Sequence, residues 1–333
     1  MYQDTLQFTA VDGHEIFTRI WKDNKNTTEP RAVFHINHGM AEHSARYAAL
    51  AERLVAEGYV VMAHDHRGHG YSVKNGEILG HYADKKGWHL VLEDVKIIND
   101  YIHQTFPDTP VILMGHSMGS FIAQAYMVKY GNTVDAVLLS GSAYHTEFTL
   151  SYAKAAAQVE KTRIGGRGRS FLIDALSFGS YNKTFNPTRT NCDWLSRDPE
   201  QVDLYVQDPL CGFLCTNQLW LDLVNGIGVI SKVKNLRNIP NQIPYLLFSG
   251  EDDPMSHDPK ESGIHKLQKR LEKAGQHSVT VKLFPQGRHE ILNETNRAEV
   301  MDQIVQWLEQ HVALKPKLNK ARKKANTEQK ETA

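Results

Sequence analysis

The chain of 333 residues sets 38 Lys+Arg against 38 Asp+Glu, and it is 41% hydrophobic and 23% charged. This is the composition of a globular protein able to bury a full core, which sets aside a disordered chain, a collagen and an integral membrane protein. The zero charge balance argues against a surface given over to nucleic acid, because such binding needs excess Lys/Arg to displace counterions.

The length fits two domains, or one large domain with an insertion. Three cysteines, Cys192, Cys211 and Cys215, are too few for a disulfide scaffold and predict reduced thiols in packing or surface positions, and with them a cytoplasmic setting. Cys211 and Cys215 stand four apart, without the second Cys or His pair that zinc ligation needs. Residues 1–5 lack a basic start followed by an apolar segment, so no secretory signal is expected. No run approaches the roughly 18 apolar residues of a membrane span.

Short apolar runs rich in Val, Ile and aromatics alternate with helix-length amphipathic stretches, which predicts an α/β class with a mostly parallel sheet flanked by helices. Residues 15–21 read as an early strand paired with 6–9 across the turn Asp12-Gly13, and 32–38 as the next strand. Over 47–57, Leu50, Leu54 and Val55 fall at helical spacing, and Gly58 stands where a C-cap belongs. Strand 59–64, helix 88–105, strand 111–115, helix 117–130 ended by Gly131, and strand 134–140 continue the alternation. From 141 to 240 it stops, giving several short amphipathic helices broken by Gly165-Gly166, Gly179, Pro187, Pro199, Pro209 and Gly226. Beyond Pro244 it resumes with strand 245–250, helix 264–273, strand 279–284 and helix 297–312. The expected organisation is one α/β core, 1–140 and 241–314, interrupted by a helical cap at 141–240. A polar tail, 315–333, is expected to be disordered.

Gly115-His116-Ser117-Met118-Gly119 is a G-x-S-x-G motif with an apolar strand before it and a helix after it. A serine in so tight a strand-to-helix turn needs small neighbours, and the turn holds its hydroxyl out at the sheet's C-terminal edge beside the free amides of a helix N-terminus. Such a serine is a weak nucleophile unless a histidine acts as base and a carboxylate orients that histidine. In enzymes of this motif both partners come later in the chain, the acid first. Strand 245–250 runs into Glu251-Asp252-Asp253, and Asp253, followed by Pro254, is the expected acid, with Asp252 as runner-up. Strand 279–284 leads through Pro285-Gln286-Gly287-Arg288 into His289, whereas His257, His265, His277 and His311 fall in a turn, on helices or far from a strand end. The expected oxyanion hole is the backbone N–H of Met118 with that of Met40, which follows strand 32–38; each such donor is worth on the order of 3 kcal/mol of transition-state stabilisation.

His64-Asp65-His66-Arg67-Gly68-His69 is dense enough in donors to be weighed as a metal site. The binuclear metallohydrolase pattern H-x-H-x-D-H places its aspartate after the middle histidine, whereas Asp65 precedes it, and the stretch reads better as a polar turn. No metal and no organic cofactor is expected.

Three stretches together resemble the α/β-hydrolase superfamily, in its monoacylglycerol lipase and lysophospholipase-like branch: residues 38–47 (H-G-M-A-E-H-S-A-R-Y), residues 65–72 (D-H-R-G-H-G-Y-S) and the serine motif. In the cap, Val202-Asp203-Leu204-Tyr205 with Asp208-Pro209-Leu210 is also similar. The resemblance covers roughly residues 5–312. It implies hydrolysis of a single-chain acyl ester through an acyl-enzyme, with the cap forming an apolar channel for the chain. By position Glu42, Arg46 and Tyr205 match residues that such lipases place around the glycerol headgroup, and His116 is counted with them as substrate-binding. Glu42 and Arg46, four apart, also fit a plain helix-surface ion pair. Two departures stand out: Ser120 where many relatives have Gly, and Leu292 three residues after His289, where the mammalian lipases have a second histidine. The same triad could serve a lysophospholipase, a thioesterase or an acyltransferase; a non-catalytic binding member of the fold is the more distant alternative.

The tail 315–333 holds seven basic residues and two acids, and removing these from 38 and 38 leaves 31 basic against 36 acidic in 1–314. Neutrality is thus the sum of an acidic body and a basic tail. Weak attraction of the tail to anionic lipid surfaces is the sharper expectation from it, and a solubilising role the plainer one. The expected partner is otherwise a small acyl-ester substrate, with no nucleic acid.

Overall fold

The computed structural model describes residues 1–24, 28–74, 76–256, 258 and 261–317. Among them eight strands form one sheet: β1 Tyr2–Thr9, β2 Glu15–Lys22, β3 Val33–Asn37, β4 Val60–His64, β5 Val111–His116, β6 Ala136–Ser140, β7 Tyr245–Gly250 and β8 Val279–Phe284. Their order across the sheet is β1-β2-β4-β3-β5-β6-β7-β8, with β1 and β2 antiparallel to their neighbours and the others parallel. The expected α/β class is therefore found. β3 to β7 are buried along their whole length, as parallel strands covered on both faces must be, which is why they read as unbroken apolar runs.

The helices are α1 Ala48–Ala56, α2 Gly87–Thr105, α3 Met118–Tyr130, α4 Glu147–Ile164, α5 Phe171–Leu176, α6 Phe178–Tyr181, α7 Pro199–Gln207, α8 Asn217–Ile230, α9 Val233–Leu236, α10 Gly263–Lys273 and α11 Arg297–His311. Successive strand residues point to opposite faces of the sheet. Ile112, Met114, Leu246 and Phe248 accordingly pack with Leu50 and Leu54 of α1 and Ile304 and Leu308 of α11. On the other face Leu113, Val137 and Leu247 pack with Val91 and Val95 of α2, Ile122 of α3 and Leu267 of α10. Helices α4 to α9 all lie between β6 and β7. α8 places Leu219, Leu223 and Ile227 in that second core. Its start is fixed by Thr216, whose hydroxyl accepts from Leu219 N at 3.2 Å.

β1 begins at Tyr2 rather than at residue 6, because the polar residues 2–5 find ladder partners in Arg19 to Lys22 that no apolar pattern announces. Lys315 N donates to Arg31 O at 3.0 Å and Lys317 Nζ reaches Glu57 Oε2 at 2.6 Å, so the first residues of the basic segment lie on the body. The remaining basic residues of 318–333 are outside the described residues. Among the described residues no helix is long and apolar enough to cross a membrane. The parallel strands end together, and the loops leaving β3, β5, β7 and β8 bring residues 38–46, 117, 253 and 289 to one edge.

Candidate active site

Ser117 sits between the end of β5 and the start of α3 with φ 50° and ψ −118°, a backbone region that non-glycine residues avoid. Its surroundings hold it there. A Cβ on Gly115 would lie 2.3 Å from Gly119 O, and one on Gly119 would lie 2.1 Å from Asn37 O, so both motif glycines are demanded by backbone contact. Ser117 N donates to Ser140 O at 2.9 Å. Ser120 Oγ donates to Ser117 O at 2.6 Å and lies 2.8 Å from Ser142 Oγ, which gives the departure at position 120 a structural reason: its hydroxyl ties down the carbonyl of the strained turn.

His289 follows β8, and its Nδ1–H donates to Asp253 Oδ1 at 3.0 Å, with both side chains buried. Asp253 Oδ1 also accepts from Met255 N at 2.9 Å, and Oδ2 accepts from Ser249 Oγ at 2.6 Å. Burial alone would raise this carboxyl, but the imidazole and these donors take it below the usual carboxylate range. The same contact raises His289 above the ordinary histidine value against the opposing effect of its burial. Asp252 is exposed, and His289 takes Asp253 instead. The imidazole is wedged between the rings of Trp194, 5.0 Å away, and His116, 4.8 Å away. Ser117 and His289 line one cavity of about 550 Å³. Among the described residues no hydrogen bond between them is closed; such bonds are often long before substrate binds.

Met118 is the first residue of α3, where amides lack intrahelical acceptors, and among the described residues neither its N–H nor that of Met40 has a partner. The loop carrying Met40 is held by Gly39 N donating to Glu42 Oε1 at 2.5 Å. A Cβ on Gly39 would lie 2.8 Å from Glu42 Oε1 and 3.1 Å from the His116 ring, so glycine lets this loop lie against the site.

Glu42 and Arg46 are not a surface pair. Residues 44–47 form a 3-10 turn ahead of α1, and Glu42 is buried, accepting from Tyr47 Oη at 2.8 Å and from Arg46 Nη1 at 2.9 Å. Arg46 is also held by a residue that sequence reading passes over, Glu290: Nη1 to Oε1 and Nη2 to Oε2, both at 2.6 Å. Burial opposes ionisation of Glu290, yet Arg46 draws it down to about 2. The guanidinium lies 4.8 Å from the Tyr205 ring centre, and Tyr205 Oη donates to Ala41 O at 3.0 Å. His116 is within reach of Ser140 Oγ at 3.2 Å, and burial holds it neutral by lowering it to about 4. Leu292 is buried beside Met301 and Leu50, at the far side of the same cluster.

The 64–69 stretch is a knot of internal bonds. Asp65 accepts from Ser44 N at 2.7 Å and Tyr71 N at 2.8 Å; His64 bridges His35 at 3.2 Å and His66 at 3.0 Å. Among the described residues, the group whose possible metal donors all lie within 4.8 Å of one another is a different one, His43, Asp208 and Cys211. His43 Nε2 already meets Asp208 Oδ2 at 2.8 Å, and burial pushes the Cys211 thiol up and keeps it protonated. That contact joins the 38–46 loop to the residue after α7, and no spacing in the sequence points to it.

Residues 28–296 match the family described as serine aminopeptidase, S33. The chain is 29% identical over 318 residues to human monoglyceride lipase, covering 94% of this chain and 92% of that protein. It is 28% identical over 305 residues to monoacylglycerol lipase of Mycolicibacterium smegmatis, covering 92% and 96%. Among solved structures it is similar to a thermostable carboxyl esterase from Bacillus coagulans in complex with glycerol, at TM-score 0.83 and 25% identity, covering 93% and 99%.

Proposed function

Because the chain belongs to the serine aminopeptidase S33 family, we propose that it is a serine carboxylic-ester hydrolase acting on single-chain acyl esters of the monoacylglycerol type, with Ser117, His289 and Asp253 as its triad. The observation that carries this is the convergence of a strained serine and an Asp-held imidazole on one cavity. Ser117 Oγ attacks the ester carbonyl carbon as His289 Nε2 takes its proton, and the oxyanion receives the amides of Met40 and Met118. The bond to the alcohol breaks as His289 returns the proton to the leaving oxygen. Water then repeats the sequence on the acyl-enzyme, giving up a proton to His289 and releasing the fatty acid and Ser117.

The cavity supports an acyl-chain site, since Phe171, Phe178, Trp194, Leu195 and Phe213 line it and each buried CH₂ contributes about 0.8 kcal/mol. Helices α4 to α9 act as its cap. Fatty-acid release from 1-acylglycerol, lysophosphatidylcholine and acyl-CoA of one chain length tests the reading. The glycerol ester is expected to turn over fastest and Ser117→Ala to abolish the release; retained hydrolysis in a folded Ser117→Ala variant would overturn it.

The finer proposal of weak peripheral contact with anionic membranes rests on the basic residues of 315–333 and on exposed Phe148, Tyr152, Phe171, Leu172 and Leu176 of the cap. Each basic residue near a membrane contributes at most about 1 kcal/mol. A chain ending at Leu314 that binds anionic vesicles as well as the full chain would remove the tail from that role.

A further inference from the structure

Glu42 and Glu290 line the cavity with Ser117 and His289, at the side the ester-hydrolase reading gives to the headgroup, and three of the five N–H donors of Arg46 go to them: two from Nη1, to Glu42 and Glu290, and one from Nη2, to Glu290. A free Arg46 would be a fork for a phosphate or carboxylate. Held this way, its single charge is outweighed by two carboxylates. Its side chain is only 11% exposed, with Tyr205 against its face, so it cannot turn to another partner without leaving two buried carboxylates unpaired.

Each ionised carboxylate offers about four lone-pair positions across two oxygens. Glu42 uses Oε1 for Gly39 N and Tyr47 Oη, and Oε2 for Arg46. Glu290 uses Oε2 for Arg46 and Asn293 Nδ2, and Oε1 for Arg46. One acceptor position is left on Glu42 Oε2 and one on Glu290 Oε1. Both residues line the main cavity with Ser117 and His289, which carries no Lys or Arg among its described lining residues and adds the acid Asp174. With His116 neutral, two carboxylates against one guanidinium leave a charge of −1 at the headgroup end.

From this we infer that the headgroup site is a net-negative site with open carboxylate acceptors that takes uncharged hydroxyl-bearing headgroups and rejects phosphorylated ones, and that Glu290 is the residue that sets this selectivity. The inference rests on the ester-hydrolase reading and narrows it. A diol donates to both open positions, whereas the phosphomonoester keeps one hydroxyl donor instead of two and brings two negative charges into a site that already has one in excess. The charge of the cation that could have received it is offset by Glu290.

The experiment compares kcat/KM of the full chain on 1-acylglycerol and on its 3-phosphate, lysophosphatidic acid, with the same acyl chain in the same detergent at pH 8. The wild type is expected to prefer the glycerol ester by roughly ten-fold or more. Removing the second carboxylate charge in Glu290→Gln or Glu290→Leu is expected to reduce that ratio by about ten-fold, and either variant serves if the other does not fold. Glu290→Asp, which keeps the charge, is expected to hold the ratio near the wild-type value. Because the readout is a ratio on one enzyme, a general loss of stability does not imitate it. Equal kcat/KM on the two esters, or a ratio unmoved by loss of the charge, would overturn the inference and leave the hydrolase intact. Absence of turnover on both esters would overturn the hydrolase reading and this one with it.

Discussion

His289 Nδ1 and Asp253 Oδ1 meet at 3.0 Å although 36 residues separate them, while the neighbouring Asp252 stands exposed to solvent. With Nδ1–H given to the carboxylate, Nε2 is the nitrogen left for the proposed proton transfer from Ser117. Asp253→Asn keeps the shape and removes the charge, and in comparable triads such a change lowers kcat by about 10⁴. A loss of that order is expected for Asp253→Asn and near wild-type turnover for Asp252→Asn, measured as ester hydrolysis on the two purified variants. The reverse order would move the acid to Asp252.

The pH profile follows from the direction of the His289 shift. Its folded value lies above 6.5, and the base must be neutral, so the acid limb of kcat/KM is expected to have its midpoint above 6.5. The stability term has the opposite sign. A raised histidine contributes stability that is complete below its unfolded value and is lost as pH rises through its folded value. Activity is therefore gained over the same interval in which this stabilising increment disappears. Glu290 behaves the other way, its contribution being present above about 4.5 and lost as pH falls toward about 2. Asp253→Asn leaves burial as the main influence on His289 and should bring the midpoint of its residual activity down to 6.5 or below, and an unchanged midpoint would show that another group sets the limb.

Removing Arg46 and removing Glu290 are expected to be unequal. Arg46→Met leaves Glu42 and Glu290 buried with no cation between them, whereas Glu290→Leu leaves Arg46 still paired with Glu42 at 2.9 Å. Breaking a buried pair so that one charge is left uncompensated costs about 3–5 kcal/mol. That loss is expected for Arg46→Met and a clearly smaller one for Glu290→Leu, read from denaturant midpoints at pH 7. Equal losses would mean that Glu42 does not share the guanidinium's charge.

How much of this was legible in the sequence depended on how local the cause was. The glycines of the serine motif are set by contacts within a few residues and with the end of the neighbouring strand β3, and the motif carries them openly. Asp253 and His289 were legible because each follows an apolar strand at the sheet's C-terminal edge, a position that the strand pattern marks. Glu42 and Arg46 were visible as a spacing of four, but a spacing does not say that the pair is buried or that it lies on a 3-10 turn ahead of a helix. Glu290 was not legible at all: its partner is 244 residues away, and a glutamate after a histidine has no pattern of its own. The His43 to Asp208 contact was not legible for the same reason, since it joins the 38–46 loop to the residue after α7 across 165 residues.

The strain at Ser117 gives the last prediction. A non-glycine residue held in such a backbone region costs on the order of 1–3 kcal/mol, and glycine there gives back only about 0.5–1 kcal/mol in chain entropy. Among the described residues Ser117 Oγ makes no hydrogen bond that the change would forfeit. Ser117→Gly is thus expected to be inactive and about 1 kcal/mol more stable than wild type, by denaturant unfolding. Gly119→Ala, two residues on, is expected to lose stability, since its methyl would stand 2.1 Å from Asn37 O and neither backbone can withdraw without opening the turn. A Ser117→Gly variant no more stable than wild type would mean that the bonds from Ser117 N to Ser140 O and from Ser120 Oγ to Ser117 O relieve the turn, leaving no strain to release.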